Sequence, residues 1–126
     1  IKLGDISPKR DFNYVTDTCE GLIAIAETNK TIGETINIGS NSEISISDLF
    51  KLTKELMNAD VSIIVKKSII RPKKSEVQRL WCDNTKIKKL TNFNSNVTLR
   101  DGLQKTINWF SQKRNFKNYK SNIYNI

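Results

Sequence analysis

Arg10 stands in the run Lys9-Arg10-Asp11-Phe12-Asn13-Tyr14-Val15, with Asp17 just beyond. A guanidinium ahead of a short extended segment can offer a two-pronged fork to a phosphate, and the neighbouring Asp11 can hold that fork in place. A surface arginine paired with its neighbour would look the same and contribute little. A second run, Arg71-Pro72-Lys73-Lys74-Ser75-Glu76-Val77, leads into Leu80-Trp81-Cys82-Asp83. There Arg71 can clamp a pyrophosphate from a proline-stiffened loop while Glu76 accepts hydrogen bonds from ribose hydroxyls. The third run is Ile36-Asn37-Ile38-Gly39-Ser40-Asn41. Asn37 is a polar residue among apolar ones, and Gly39 permits a tight turn or the close approach of a ligand. An ordinary strand-to-helix loop has the same appearance.

Other chemistries lack their residues. The sequence contains no histidine, which removes the commonest proton shuttle and metal ligand, and no metal set is expected. Cys19 and Cys82 are too few and too far apart for a disulfide framework; they read as buried or half-buried free thiols in a reducing cytoplasm. No glycine-rich strand-to-helix turn is present to cradle a dinucleotide, and none of Tyr14, Tyr119 and Tyr124 is followed four positions on by a lysine. The chain therefore carries no catalytic set and no cofactor motif of its own.

The net charge of +8 over 126 residues draws attention to partners that are anionic. Lys66, Lys67, Arg71, Lys73 and Lys74 crowd one stretch, and Lys113, Arg114, Lys117 and Lys120 decorate the end. Each cluster reads first as a solvated face, and a nucleic-acid-binding module is the reading from another class. The apolar runs are far shorter than the ~20 residues a membrane span needs. The abrupt opening at Ile1, without a methionine, is what a piece of a longer protein would show.

Four helices are expected to position these residues. Their spans are about Asp17 to Thr28, Ser45 to Asn58, a short one after Asp83, and one from Thr98. Asp17 with Glu20, Ser45 with Asp48, and Thr98 with Asp101 have the spacing of capping boxes. The first helix should turn Cys19, Leu22, Ile23 and Ala26 inward. The second should bury Ile46, Leu49, Phe50, Leu56 and Met57, the third Ile87 and Leu90, and the fourth Leu99, Leu103, Ile107 and Phe110. Strands are expected at Phe12 to Val15, Thr35 to Ile38, Val61 to Val65 and Arg79 to Cys82. This alternation predicts an α/β arrangement with some parallel pairing. Residues 1–112 should form one domain, and 113–126 a basic polar tail.

In order and spacing, LGDISPKRDFNYVTDT, GETINIGS, RPKKSEVQRLWCDNTKIKKL and TLRDGLQKTINWF resemble the C-terminal part of extended short-chain dehydrogenases/reductases acting on nucleotide sugars. Within that NAD-dependent epimerase/dehydratase family, the chain looks most like 4,6-dehydratases of UDP-N-acetylhexosamines and GDP-mannose, which share the RD-aromatic and RP…EV patterns. The resemblance implies the substrate-binding part of a Rossmann-type enzyme. It places Arg10 and Arg71 on the nucleotide diphosphate, Glu76 near the ribose and Asn37 at a strand end beside the nucleotide. The Lys73-Lys74 insert departs from the shorter turn of many relatives and puts the register of Glu76 in question.

For the complete enzyme the resemblance implies NAD or NADP, a nucleotide-diphosphate sugar, a missing N-terminal Rossmann half and a cytoplasmic homo-oligomer. It also implies hydride removal from sugar C4, loss of water across C5–C6 and return of the hydride to C6. A 4-epimerase would return the hydride to C4 from the other face. This chain alone is expected to bind no cofactor, membrane or nucleic acid; an inactive remnant is the remaining alternative.

Overall fold

Five two-residue strands set the frame in which Arg10 and Glu76 lie. The computed structural model describes residues 1–72, 75–116 and 119, so the Lys73-Lys74 insert and, beyond Phe116, all of the basic tail but Tyr119 fall outside the described residues. Strand β1 (Lys2–Leu3) pairs in parallel with β4 (Ile64–Val65). Strand β2 (Lys9–Arg10) is the middle of a second sheet. It runs antiparallel to β3 (Ile44–Ser45) and parallel to β5 (Arg79–Leu80). In that register Lys9 faces Arg79 and Arg10 faces Leu80. Helices α1 (Val15–Ala26), α2 (Ile46–Leu56), α3 (Thr85–Leu90), α4 (Leu99–Phe110) and the one-turn α5 (Lys113–Phe116) complete the α/β fold.

At two of the three expected boxes the N-cap half forms, while the Asp48 and Asp101 carboxylates accept from the capping hydroxyls themselves. The Asp48 amide donates to Ser45 Oγ at 3.0 Å and the Asp101 amide to Thr98 Oγ1 at 3.1 Å, which satisfies donors that a helix start leaves orphaned. The third does not. Helix α1 begins at Val15 with Tyr14 as an N-cap that makes no side-chain bond. Asp17 is instead buried inside the first turn, where its Oδ2 accepts from Ser95 Oγ at 2.7 Å and the Val97 amide at 3.1 Å. The residue that looked like a local cap ties α1 to the loop entering α4.

The strand expectations need similar correction. No strand forms at Phe12 to Val15, because the ladder ends two residues earlier at Arg10, or at Thr35 to Ile38. An apolar run signals a side chain seeking burial; a strand also needs a neighbouring backbone to pair with. The expected strands at 61–65 and 79–82 contract to β4 and β5.

Among the described residues, only Ile87 and Phe93 are buried large apolar side chains. Leu49, Phe50, Leu99, Leu103 and Ile107 are half-buried, as the periodicity of α2 and α4 predicts, while Met57 and Phe110 are exposed. Helix α1 reverses its expectation. Gly21 faces inward, where a side chain would strike Ile38, whereas Val15, Leu22 and Ile23 are more than half exposed. Cys19 and Ala26 are exposed as well, so the stripe expected to face the core faces out. No described helix is long and apolar enough to cross a membrane.

Candidate functional site

The end of β2 is where the three sequence runs meet. Asp11 follows Arg10 and spends both carboxylate oxygens on backbone and hydroxyl donors. Its Oδ1 accepts from the Ser40 amide at 3.1 Å and Ser40 Oγ at 2.6 Å. Its Oδ2 accepts from the Asn41 amide at 3.0 Å and the Cys82 amide at 3.3 Å. Asp11 thus holds the Ile36–Asn41 and Leu80–Asp83 segments on either side of β2. It does not hold Arg10, the task its sequence position suggested.

That task falls to Glu76. Arg10 Nη2 donates to Glu76 Oε1 at 2.9 Å, and Arg10 Nη1 donates to the Lys9 carbonyl at 2.7 Å. The two side chains are 23% and 12% exposed, so the pair is largely withdrawn from solvent. The sequence sets them 66 positions apart; the ladder closes the gap, with the Lys9 amide on the Gln78 carbonyl at 2.8 Å and the Asp11 amide on the Leu80 carbonyl at 3.0 Å.

Asn37 lines a cleft of about 490 Å³ with Asp11, Asn13, Gly39, Trp81 and Cys82 among its walls. Gly39 is required there by space: a Cβ would come within 2.4 Å of Cys82 Cβ. Its carbonyl accepts from the buried Asn84 side chain at 2.9 Å, which fixes the floor of the cleft to the start of α3. Burial pushes the Cys82 thiol pKa up, and the Asp11 and Asp83 carboxylates add to that shift. Arg71 is exposed, and no hydrogen bond or ion pair joins it to Arg10, Asn37 or Glu76 among the described residues.

One residue escaped sequence reasoning. Glu43, just before β3, accepts from both Lys9 Nζ and Arg79 Nε, and its carboxylate is held below the usual range by the Arg79 bond first. The Arg79 guanidinium also lies 5.5 Å from the Trp81 ring centroid. No local signal marks Glu43; only the β3–β2–β5 order brings its partners alongside. Among the described residues no cluster of acids and cysteines is disposed to hold a metal.

The family model described as GDP-mannose 4,6 dehydratase matches residues 1–106. The chain belongs to the extended short-chain dehydrogenase/reductase family of nucleotide-sugar epimerases and dehydratases. Two relatives extend the match. A UDP-glucuronate 4-epimerase of Thermodesulfobacterium geofontis is 32% identical over 94% of this chain and 34% of its own length. A UDP-N-acetyl-alpha-D-glucosaminuronate decarboxylase of Bacillus cytotoxicus is 36% identical over 89% of this chain and 35% of its own. The crystal structure of UDP-glucuronic acid 4-epimerase from Bacillus cereus, in complex with UDP-glucuronic acid and NAD, superposes with a TM-score of 0.77. It is 31% identical and covers 88% of this chain and 35% of that one. The chain thus spans about a third of the length of these family members. Within the epimerase/dehydratase fold it is a partial domain, and the family resemblance carried by the RDF, NIGS and RP…EV runs holds over nearly the whole chain.

Proposed function

We propose that this chain is the nucleotide-diphosphate-gripping part of an NAD-dependent nucleotide-sugar 4,6-dehydratase. The observation that carries the reading is the convergence on β2: Asp11 draws the Asn37 and Cys82 segments together, and the Glu76 segment supplies the partner of Arg10. Arg10 and Arg71 are the diphosphate ligands, with Asn37 in the adjoining cleft and Glu76 behind Arg10. Charge-assisted hydrogen bonds of this kind contribute roughly 1.5–3 kcal/mol each. NAD supplies hydride chemistry to the family, but the residues here do not fit it, since the sequence has no glycine-rich strand-to-helix turn. The exposed Val15, Leu22 and Ile23 face of α1 is assigned to contact with the cofactor-binding half.

The dehydratase reading is supported by the RD-aromatic and RP…EV runs and by the matching family model. A 4-epimerase is the second reading, favoured by the names of two of the relatives. Product analysis of the complete enzyme on UDP- and GDP-sugars separates them. A 4-keto-6-deoxy sugar is expected; a C4 epimer alone would replace the dehydratase with the epimerase. In that enzyme, Arg10→Ala and Arg71→Ala should each weaken nucleotide-sugar binding by about tenfold or more while leaving NAD binding nearly unchanged. Equal loss of both ligands would remove the diphosphate assignment.

A further inference from the structure

Arg10 cannot act as a diphosphate ligand from any arbitrary rotamer. A long, flexible cationic side chain loses rotamer entropy when it binds, and pre-ordering it lowers that cost. The structure shows what orders this one. Of the five guanidinium N–H groups an arginine carries, one bonds the Lys9 carbonyl and one bonds Glu76 Oε1, and among the described residues the others have no partner and can meet an incoming ligand. Asp11 is unavailable for the task, because its carboxylate is committed to Ser40, Asn41 and Cys82. Among the described residues, Glu76 is the only acid in contact with Arg10, and Arg10 is its only cationic partner.

The pairing also constrains Glu76. Its side chain is 12% exposed and faces a guanidinium that is itself mostly covered. Before a diphosphate arrives, turning Glu76 away would leave a largely buried positive charge without its counter-ion, which is costly, so the pair is the arrangement an incoming nucleotide meets. Keeping it in place spends a single Arg10 N–H, so the pair and a diphosphate can share one guanidinium.

We propose that Glu76 is a positioning residue, whose contribution to nucleotide binding passes through the guanidinium of Arg10 and not through the ribose. The inference rests on the diphosphate role proposed above for Arg10. It is tested on the full chain by titrating UDP and 2′-deoxy-UDP, followed by NMR shifts, into the native protein, Arg10→Ala, Glu76→Ala, the double variant and Glu76→Gln. Glu76→Ala should weaken both nucleotides by the same factor, roughly five- to tenfold. The double variant should bind no more weakly than Arg10→Ala alone, because the two residues act as a unit. Glu76→Gln, which keeps the acceptor and loses the charge, should fall between native and alanine, again equally for both nucleotides. It carries the same comparison if the alanine variant does not fold.

A loss confined to UDP would mean a ribose contact and would overturn the proposal. Additive losses, or tighter binding on removing Glu76, would overturn it as well. Failure of the native chain to bind either nucleotide sinks the diphosphate reading itself, and the positioning role with it. That result is distinct from a native chain that binds but shows an additive cycle.

Discussion

Cys82 and Cys19 share a chemistry but not an environment. Cys19 lies exposed on α1, whereas Cys82 is half-buried against Gly39, with its amide on Asp11. The thiolate is the reactive form, so a thiol whose pKa is raised by burial and by two nearby carboxylates is slow to alkylate. At mildly alkaline pH, iodoacetamide should modify Cys19 several-fold faster than Cys82, and unfolding in urea should remove the difference. Equal rates in the native protein, read by peptide mass spectrometry, would contradict the packing described for the cleft. At this scale the sequence was legible in residue type. Arg10, Asn37, Glu76 and Gly39 all stood out, and the structure pairs Arg10 with Glu76 and lines the cleft with Asn37 and Gly39. The partners were not legible, because Asp11 meets Ser40 and Cys82 across 29 and 71 residues and nothing local encodes those separations. Asp11 therefore appeared to be Arg10's support, when it secures the loops on both sides.

Helices were easier to read than strands, for a physical reason. The caps at Ser45 and Thr98 are encoded within four residues and form, each satisfying one backbone donor worth about 1 kcal/mol. The strands at 9–10, 44–45 and 79–80 exist only through one another, so their limits depend on segments remote in the sequence. Helix α1 shows the limit of periodicity. The pattern identifies an apolar stripe through Cys19, Leu22 and Ile23 but not what covers it, and within the described structure the opposite face, through Asp17 and Gly21, is the one buried. A stripe that packs on nothing within the chain should tolerate charge. Leu22→Asp with Ile23→Lys should leave the melting temperature of the chain unchanged within about 1 °C. The same change should reduce its association, by sedimentation, with a separately produced cofactor-binding half. A melting temperature lowered by many degrees would show instead that this face supports the fold from within.

Across the whole molecule, the net charge of +8 is what remains once every acid is set against a base, and several of those acids form pairs that span elements. Glu43 takes Lys9 and Arg79 across β2, β3 and β5, Glu55 on α2 takes Arg100 on α4, and Glu34 takes Lys86 on α3. Each pair is net neutral and leaves the +8 excess in place; what the pairs do is join elements that the sequence separates. The carboxylates of Asp5, Glu43, Asp48 and Asp83 are all held below their ordinary values, chiefly by the Ser7 amide, Arg79, Lys51 and the Thr85 hydroxyl respectively. Such groups take up a proton less readily folded than unfolded, so the stability they give is present at neutral pH and lost as pH falls through their folded values. The raised Cys82 thiol acts in the other direction, its contribution fading only as pH climbs past the unfolded thiol value. Protonating the acids also leaves the +8 excess less opposed, adding self-repulsion. The melting temperature should accordingly be highest near neutrality and decline between about pH 5 and pH 2. Glu43→Gln should flatten that decline, since it removes a group held low by two cations. The two cations that hold Glu43 are 53% and 64% exposed, so about 0.5 M salt should shrink the difference between native and Glu43→Gln protein. An acid limb of the same slope in both proteins at low salt would mean that the β3–β2–β5 charges contribute nothing to holding the site together.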